Sequence, residues 1–97
     1  MSERNSQNTA IHARIHGRVQ GVGFRFFVQA QARRLGVAGW VRNDFDGSVE
    51  VTCEGPADRV QRFVKRLHEG PPGARVDRVD FTNIEYQGIY RSFNIAP

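Results

Sequence analysis

Nine residues, Gly17-Arg18-Val19-Gln20-Gly21-Val22-Gly23-Phe24-Arg25, constrain this chain more than any other stretch. They follow an alternating strand pattern and run straight into a helical one, so the chain must turn from strand to helix within them. Three glycines sit in the first seven positions. Glycine permits positive φ and close approach, so such a turn can aim several backbone N–H groups into one concavity, which favours an anion. The helix that follows adds its positive end, and Arg25 in the first turn adds a planar, permanently charged fork suited to phosphate oxygens. The stretch reads as a phosphate cradle with its own cation, and Arg18, Val19, Gln20, Gly21, Val22 and Gly23 are its candidate binding residues.

The rest of the chain arranges itself around that turn. Residues 1–9 are polar and without periodicity, which predicts a disordered tail ahead of a domain over 10–97. From Ala10, Ile11, Ala13 and Ile15 alternate with His12, Arg14 and His16, the period of a half-buried strand with the His and Arg side chains on the solvated face. Phe24, Phe27, Val28, Gln31 and Leu35 recur at steps of three and four, predicting a helix over 22–35 that stops at Gly36, with Phe26 off its apolar stripe. Val37 to Asn43 is a second strand, and Asn43-Asp44-Phe45-Asp46-Gly47 a turn. Val49, Val51 and Cys53 alternate with Glu50, Thr52 and Glu54 in a third strand, with the polar set facing outward. A second helix opens at Pro56-Ala57-Asp58 and buries Val60, Phe63, Val64 and Leu67, leaving a basic surface for solvent. Gly70-Pro71-Pro72-Gly73 breaks it. Val76, Val79, Phe81 and Ile84 lie in a fourth strand whose slipped alternation predicts a bulge, and Phe93 and Ile95 mark a short fifth.

The order βαββαβ with right-handed crossovers predicts an α+β fold, a ferredoxin-like sandwich whose antiparallel sheet carries both helices on one face. In that arrangement strands one and three are central antiparallel neighbours. The end of strand one that carries the cradle then lies beside the start of strand three, where the Asn43–Gly47 turn arrives. Topology alone brings residues 18–22 and residue 43 to one end of the sheet.

Composition narrows the function. The chain of 97 residues, 39% hydrophobic and 25% charged, is one ordinary globular domain. No apolar run approaches the ~18 residues needed to cross a membrane, and the polar start lacks a secretory signal, so a cytoplasmic protein without a membrane partner is expected. Cys53, the single cysteine, falls in phase with Val49 and Val51 and reads as a core thiol. His12 and His16 lack a third ligand and make a poor metal site. The net charge of +4 suits an anionic ligand, either a phosphorylated metabolite or nucleic acid.

Two further blocks join the cradle: Gly39-Trp40-Val41-Arg42-Asn43 with Gly47-Ser48-Val49, and Gly70-Pro71-Pro72 followed by Ala74-Arg75-Val76-Asp77-Arg78-Val79. Together, from about Ala10 to Ile95, they resemble the acylphosphatase family, whose signatures the first block, Gly-x-Val-Gln-Gly-Val-Gly-Phe-Arg, and the second, Gly-Trp-Val-Arg-Asn-x-x-x-Gly-x-Val, look like. The resemblance implies hydrolysis of the carboxyl-phosphate bond of a small-molecule acyl phosphate, with Arg25 binding the phosphate and Asn43 holding the attacking water. A carboxylate is a weakly basic leaving group, so this chemistry asks for no catalytic His, metal or cofactor; the N–H groups of the loop and Arg25 supply the charge compensation. Nothing in the sequence demands a partner, and a monomer is expected. Val28 departs from the family, where many relatives carry Thr, as does the Asn94-Ile95-Ala96-Pro97 end, where a basic residue and a terminal aromatic are common.

Two other functions compete. Ferredoxin-like domains often bind RNA by stacking bases on aromatics of the central strands. Here those strands offer His12, Arg14 and His16 against Glu50, Thr52 and Glu54, without an aromatic platform, so no nucleic-acid partner is expected. The amino-terminal domain of hydrogenase maturation carbamoyltransferases also looks similar, but a free-standing enzyme fits this chain better.

Overall fold

The computed structural model describes residues 7–97. Its elements are β1 (Asn8–Arg18), α1 (Phe24–Leu35), β2 (Ala38–Asn43), β3 (Val49–Pro56), α2 (Ala57–Glu69), β4 (Arg75–Ile84) and β5 (Phe93–Ile95). The tail expected over 1–9 lies mostly outside the described residues, but Asn8 and Thr9 already belong to β1, where they pair with Pro56 and Gly55.

The sheet runs β4-β1-β3-β2-β5, with β1 and β3 as antiparallel neighbours, as the βαββαβ order predicts. It is mixed rather than purely antiparallel, because β5 pairs with β2 in parallel, Gly39 opposite Phe93 and Val41 opposite Ile95. The reason lies in the connection. After β4 the chain crosses from one edge of the sheet to the other, so β5 arrives beside β2 pointing the same way. The bulge expected in β4 is present: His16 pairs with Arg78 and Gly17 with Val76, which leaves Asp77 unpaired.

One face of the sheet packs against both helices. Ile11, Ala13 and Ile15 of β1, Val41 of β2 and Val49, Val51 and Cys53 of β3 meet Phe24, Val28 and Ala32 of α1 and Val60, Phe63 and Leu67 of α2. The Phe63 and Phe93 rings meet edge to face, centroids 5.7 Å apart, which ties β5 into the same core. Cys53 is wholly buried there, and burial pushes its thiol up to about 12, so it is not a nucleophile.

The other face is not the solvated surface that alternation suggests. Glu50, Thr52 and Glu54 are only 7%, 7% and 5% exposed. Buried charge must be paired, and it is. Glu50 accepts from Arg42 Nε at 2.8 Å and lies 2.6 Å from His12 Nε2. Glu54 Oε2 accepts from the backbone N–H groups of Gln87 and Gly88, at 2.9 and 3.1 Å. The irregular segment 85–92 thus lies over this face, held also by Trp40 Nε1 donating to the Tyr90 hydroxyl. His12, Arg14 and His16 are half-buried on the same face, with His16 3.3 Å from Asp80.

Candidate active site

The connection from β1 to α1 is anchored at Val19, which is 1% exposed, while Val22 packs against the edge of the core. Gly21 and Gly23 between and after them adopt φ of 75° and 77°, left-handed values that an L side chain rarely takes. A Cβ at either would meet nothing within 4 Å, so these glycines serve backbone conformation rather than space. Gly23 caps the helix and its carbonyl accepts from Phe27 N at 3.0 Å. This is why α1 begins at Phe24, two residues later than periodicity suggests. The first turn of α1 carries no acid, and among the described residues Arg25 pairs with no carboxylate. The loop therefore opens onto a helix positive end reinforced by an uncompensated guanidinium.

Asn43 ends β2, opposite Val49. Its Oδ1 is buried and has no hydrogen-bond partner. Buried acceptors are ordinarily satisfied, so an orphan such as this one is a place for a water or a ligand atom. Arg25 and Asn43, eighteen positions apart in sequence, line one cavity of about 220 Å³ together with Val19, Gly21, Gly23, Phe24 and Phe26. Of the other loop residues expected to bind, Arg18, exposed at the end of β1 opposite Arg75, and Val22 are not part of the wall. Gln20 lies on the wall of a neighbouring cavity of about 520 Å³, with Arg42, Asn43, Asp44, Phe45 and Pro97.

The turn after Asn43 is tied by hydrogen bonds within itself and to β1. Asp44 N donates to Ser48 O at 2.9 Å, and Asp46 Oδ1 accepts from Ser48 N at 2.9 Å and from Ser48 Oγ at 2.5 Å. Arg14 donates to the Asp44 carboxylate and, at 3.1 Å, to Ser48 Oγ. The Arg14 hydrogen bond, helped by Phe45 N, holds the Asp44 carboxyl below the usual carboxylate range. Gln20 crosses from the cradle to this turn, its side-chain amide donating to Asp44 O at 2.8 Å and Ser48 O at 2.9 Å. Sequence reasoning missed Arg14, Ser48 and this use of Gln20, because nothing local marks a contact made across the sheet. Phe26, off the helical stripe, carried a visible signal.

Fold and cavity define a class: a ferredoxin-like domain with an electropositive, glycine-built pocket at one end of its sheet. The acylphosphatase family model matches residues 11–95. The chain is 48% identical over 85 residues to an acylphosphatase of Salinibacter ruber, covering 88% of this chain and 90% of that one. A solved acylphosphatase of Bacillus subtilis superposes with a TM-score of 0.89 at 38% identity, over 92% of this chain and 99% of that one. A full-length HypF structure also matches, with a TM-score of 0.82 at 29% identity, but over 94% of this chain and only 12% of the other. The chain belongs to the acylphosphatase family, and its activity is hydrolysis of an acyl phosphate. Among the described residues no helix is long and apolar enough to cross a membrane.

Proposed function

We propose that the loop from Arg18 to Gly23 and Arg25 hold the phosphoryl group while Asn43 holds the attacking water. The observation that carries this is the buried, unpartnered Oδ1 of Asn43, a residue that lines one cavity with Arg25. A water donating one hydrogen bond to that oxygen is fixed beside the phosphorus. Its oxygen forms the new P–O bond in line with the bond to the acyl oxygen, which breaks with its electron pair leaving on the carboxylate. The carboxylate departs unprotonated, and the water's proton passes to a phosphoryl oxygen. Negative charge on the phosphoryl group is compensated by the loop N–H groups, the α1 positive end and the Arg25 fork. These charges stand where other phosphoryl-transfer enzymes place Mg²⁺, so the reaction proceeds without metal or cofactor.

The lone buried thiol of this chain asks for no oxidising compartment, in keeping with the cytoplasm. The absence of an aromatic platform still argues against a nucleic-acid partner, since the strand face that stacks bases in RNA-binding domains of this fold carries Glu50 and Glu54, with residues 87–88 bonded over Glu54.

The test is hydrolysis of benzoyl phosphate in EDTA by the wild type and by a folded Arg25→Ala variant. Turnover that survives EDTA and falls by on the order of 10²–10³ or more in the variant is expected. A folded variant near full activity refutes the role given to Arg25, and loss of wild-type turnover in EDTA refutes metal independence.

A further inference from the structure

Phe26 stands next to Arg25 in α1 and is 66% exposed, although it lines the same cavity as Arg25 and Asn43. It takes no part in the core, which α1 reaches through Phe24, Val28 and Ala32. An exposed phenylalanine forgoes the stabilisation of burial, so its presence at a cavity rim calls for an apolar occupant. The other strongly exposed apolar side chains among the described residues are placed differently. Phe81, Ile84, Tyr86 and Ile89 lie on β4 and the segment after it, and Phe45 lines the neighbouring cavity without Arg25.

The geometry of displacement says which part of the substrate Phe26 can touch. In-line attack sets the water and the leaving group on opposite sides of phosphorus. With the water on Asn43, the acyl group leaves on the side away from Asn43, and of the apolar side chains that line this cavity Phe26 is the exposed one, Val19 and Phe24 being buried in the core.

We propose that Phe26 is a specificity residue that contacts the substrate's acyl group, so that the enzyme favours acyl phosphates with an aryl or branched apolar acyl group over those with a small or polar one. The proposal rests on the placing of phosphate and water argued above. One ring edge against an apolar group discriminates by roughly tenfold, the scale on which apolar pockets distinguish substrates differing by a methylene or two.

The experiment compares kcat/KM for benzoyl, acetyl and carbamoyl phosphate in the wild type and in Phe26→Ala, Phe26→Leu and Phe45→Ala. Taking ratios between substrates within each protein, then between proteins, cancels the intrinsic reactivity of each acyl phosphate. The benzoyl-to-acetyl and benzoyl-to-carbamoyl ratios should fall about tenfold in Phe26→Ala, recover partly in Phe26→Leu and stay at the wild-type value in Phe45→Ala. Unchanged ratios in Phe26→Ala, or an equal fall in Phe45→Ala, would overturn the proposal. Failure of the underlying reading shows separately, as activity retained in Arg25→Ala.

Discussion

The side-chain amide of Gln20 donates to the backbone carbonyl of Asp44 at 2.8 Å, across the gap between the loop from β1 to α1 and the turn that follows Asn43. A second bond from the same nitrogen reaches Ser48 O at 2.9 Å. The loop and the turn come from different connections of the sheet, and this amide links them. A displacement of an ångström between reacting groups can cost about 10²-fold in rate, so a single amide here has leverage on catalysis.

Gln20→Glu should therefore be worse than Gln20→Ala. The carboxylate would face two carbonyl oxygens with nothing to donate, whereas Ala only leaves two acceptors to water. Each lost bond is worth roughly 0.5–1.5 kcal/mol, and kcat should fall by more than KM rises. Acidification should partly restore the Glu variant, because a protonated carboxyl regains a donor. Equal activity in the two variants across pH would refute the linking role.

Asn43→Ala should lose on the order of 10²-fold or more in kcat yet be at least as stable as the wild type in urea. The unpartnered Oδ1 contributes no hydrogen bond to the fold, so its loss removes no intramolecular bond. Marked destabilisation would show that the amide is structural.

Glu50 makes stability depend on acid. Burial pushes its pKa up, but hydrogen bonds to His12 and Arg42 outweigh burial and hold it below the usual range. A depressed folded pKa means that the contribution is complete above the unfolded pKa and is lost as pH falls through the folded one. Glu50→Gln should cost roughly 1–3 kcal/mol at pH 7 and flatten the loss of stability between about pH 5 and 3. Urea unfolding at a series of pH values reads both, and an unchanged acid slope would contradict the assignment.

Gly39→Ala and Gly21→Ala should behave very differently. At Gly39 a Cβ would lie 1.9 Å from the Thr52 carbonyl oxygen on the paired strand, at a φ of 147°, so the central sheet must part. At Gly21 space is open, and only the left-handed φ of 75° is disfavoured, at about 1–2 kcal/mol. Thermal unfolding should show a folded Gly21 variant and a Gly39 variant that is severely destabilised or does not fold. Comparable melting temperatures would count against this view of the sheet.

What the sequence disclosed follows from which demands leave a local mark. Positive φ at Gly21 and Gly23 can be met cheaply by one residue type only, so the turn from β1 into α1 was legible, and strict alternation at Val49, Val51 and Cys53 made β3 legible. The bulge at Asp77 showed as a slip in the alternation of Val76, Val79, Phe81 and Ile84 in β4. Alternation reports two faces but not what covers the second, so the burial of Glu54 against residues 87–88 and of Glu50 among His12 and Arg42 was invisible. Three residues, Phe93–Ile95, are too few to carry a strand direction, which is why β5 was expected in an antiparallel sheet. Gln20 read as a loop residue because its partners are fixed only once β1 and β3 pair.

The strand order has a kinetic consequence. Ala10 pairs with Ile84, and Gly39 with Phe93, so both flanks of the sheet close only when chain segments from opposite halves meet. Such closure spends loop entropy before any contact rewards it, and folding in milliseconds to seconds rather than microseconds follows. The helices can form early, but the strand bearing Asn43 remains open along one side until β5 arrives. Regain of turnover in a refolding experiment should accordingly trail the regain of helical signal, with catalysis among the last properties this chain acquires.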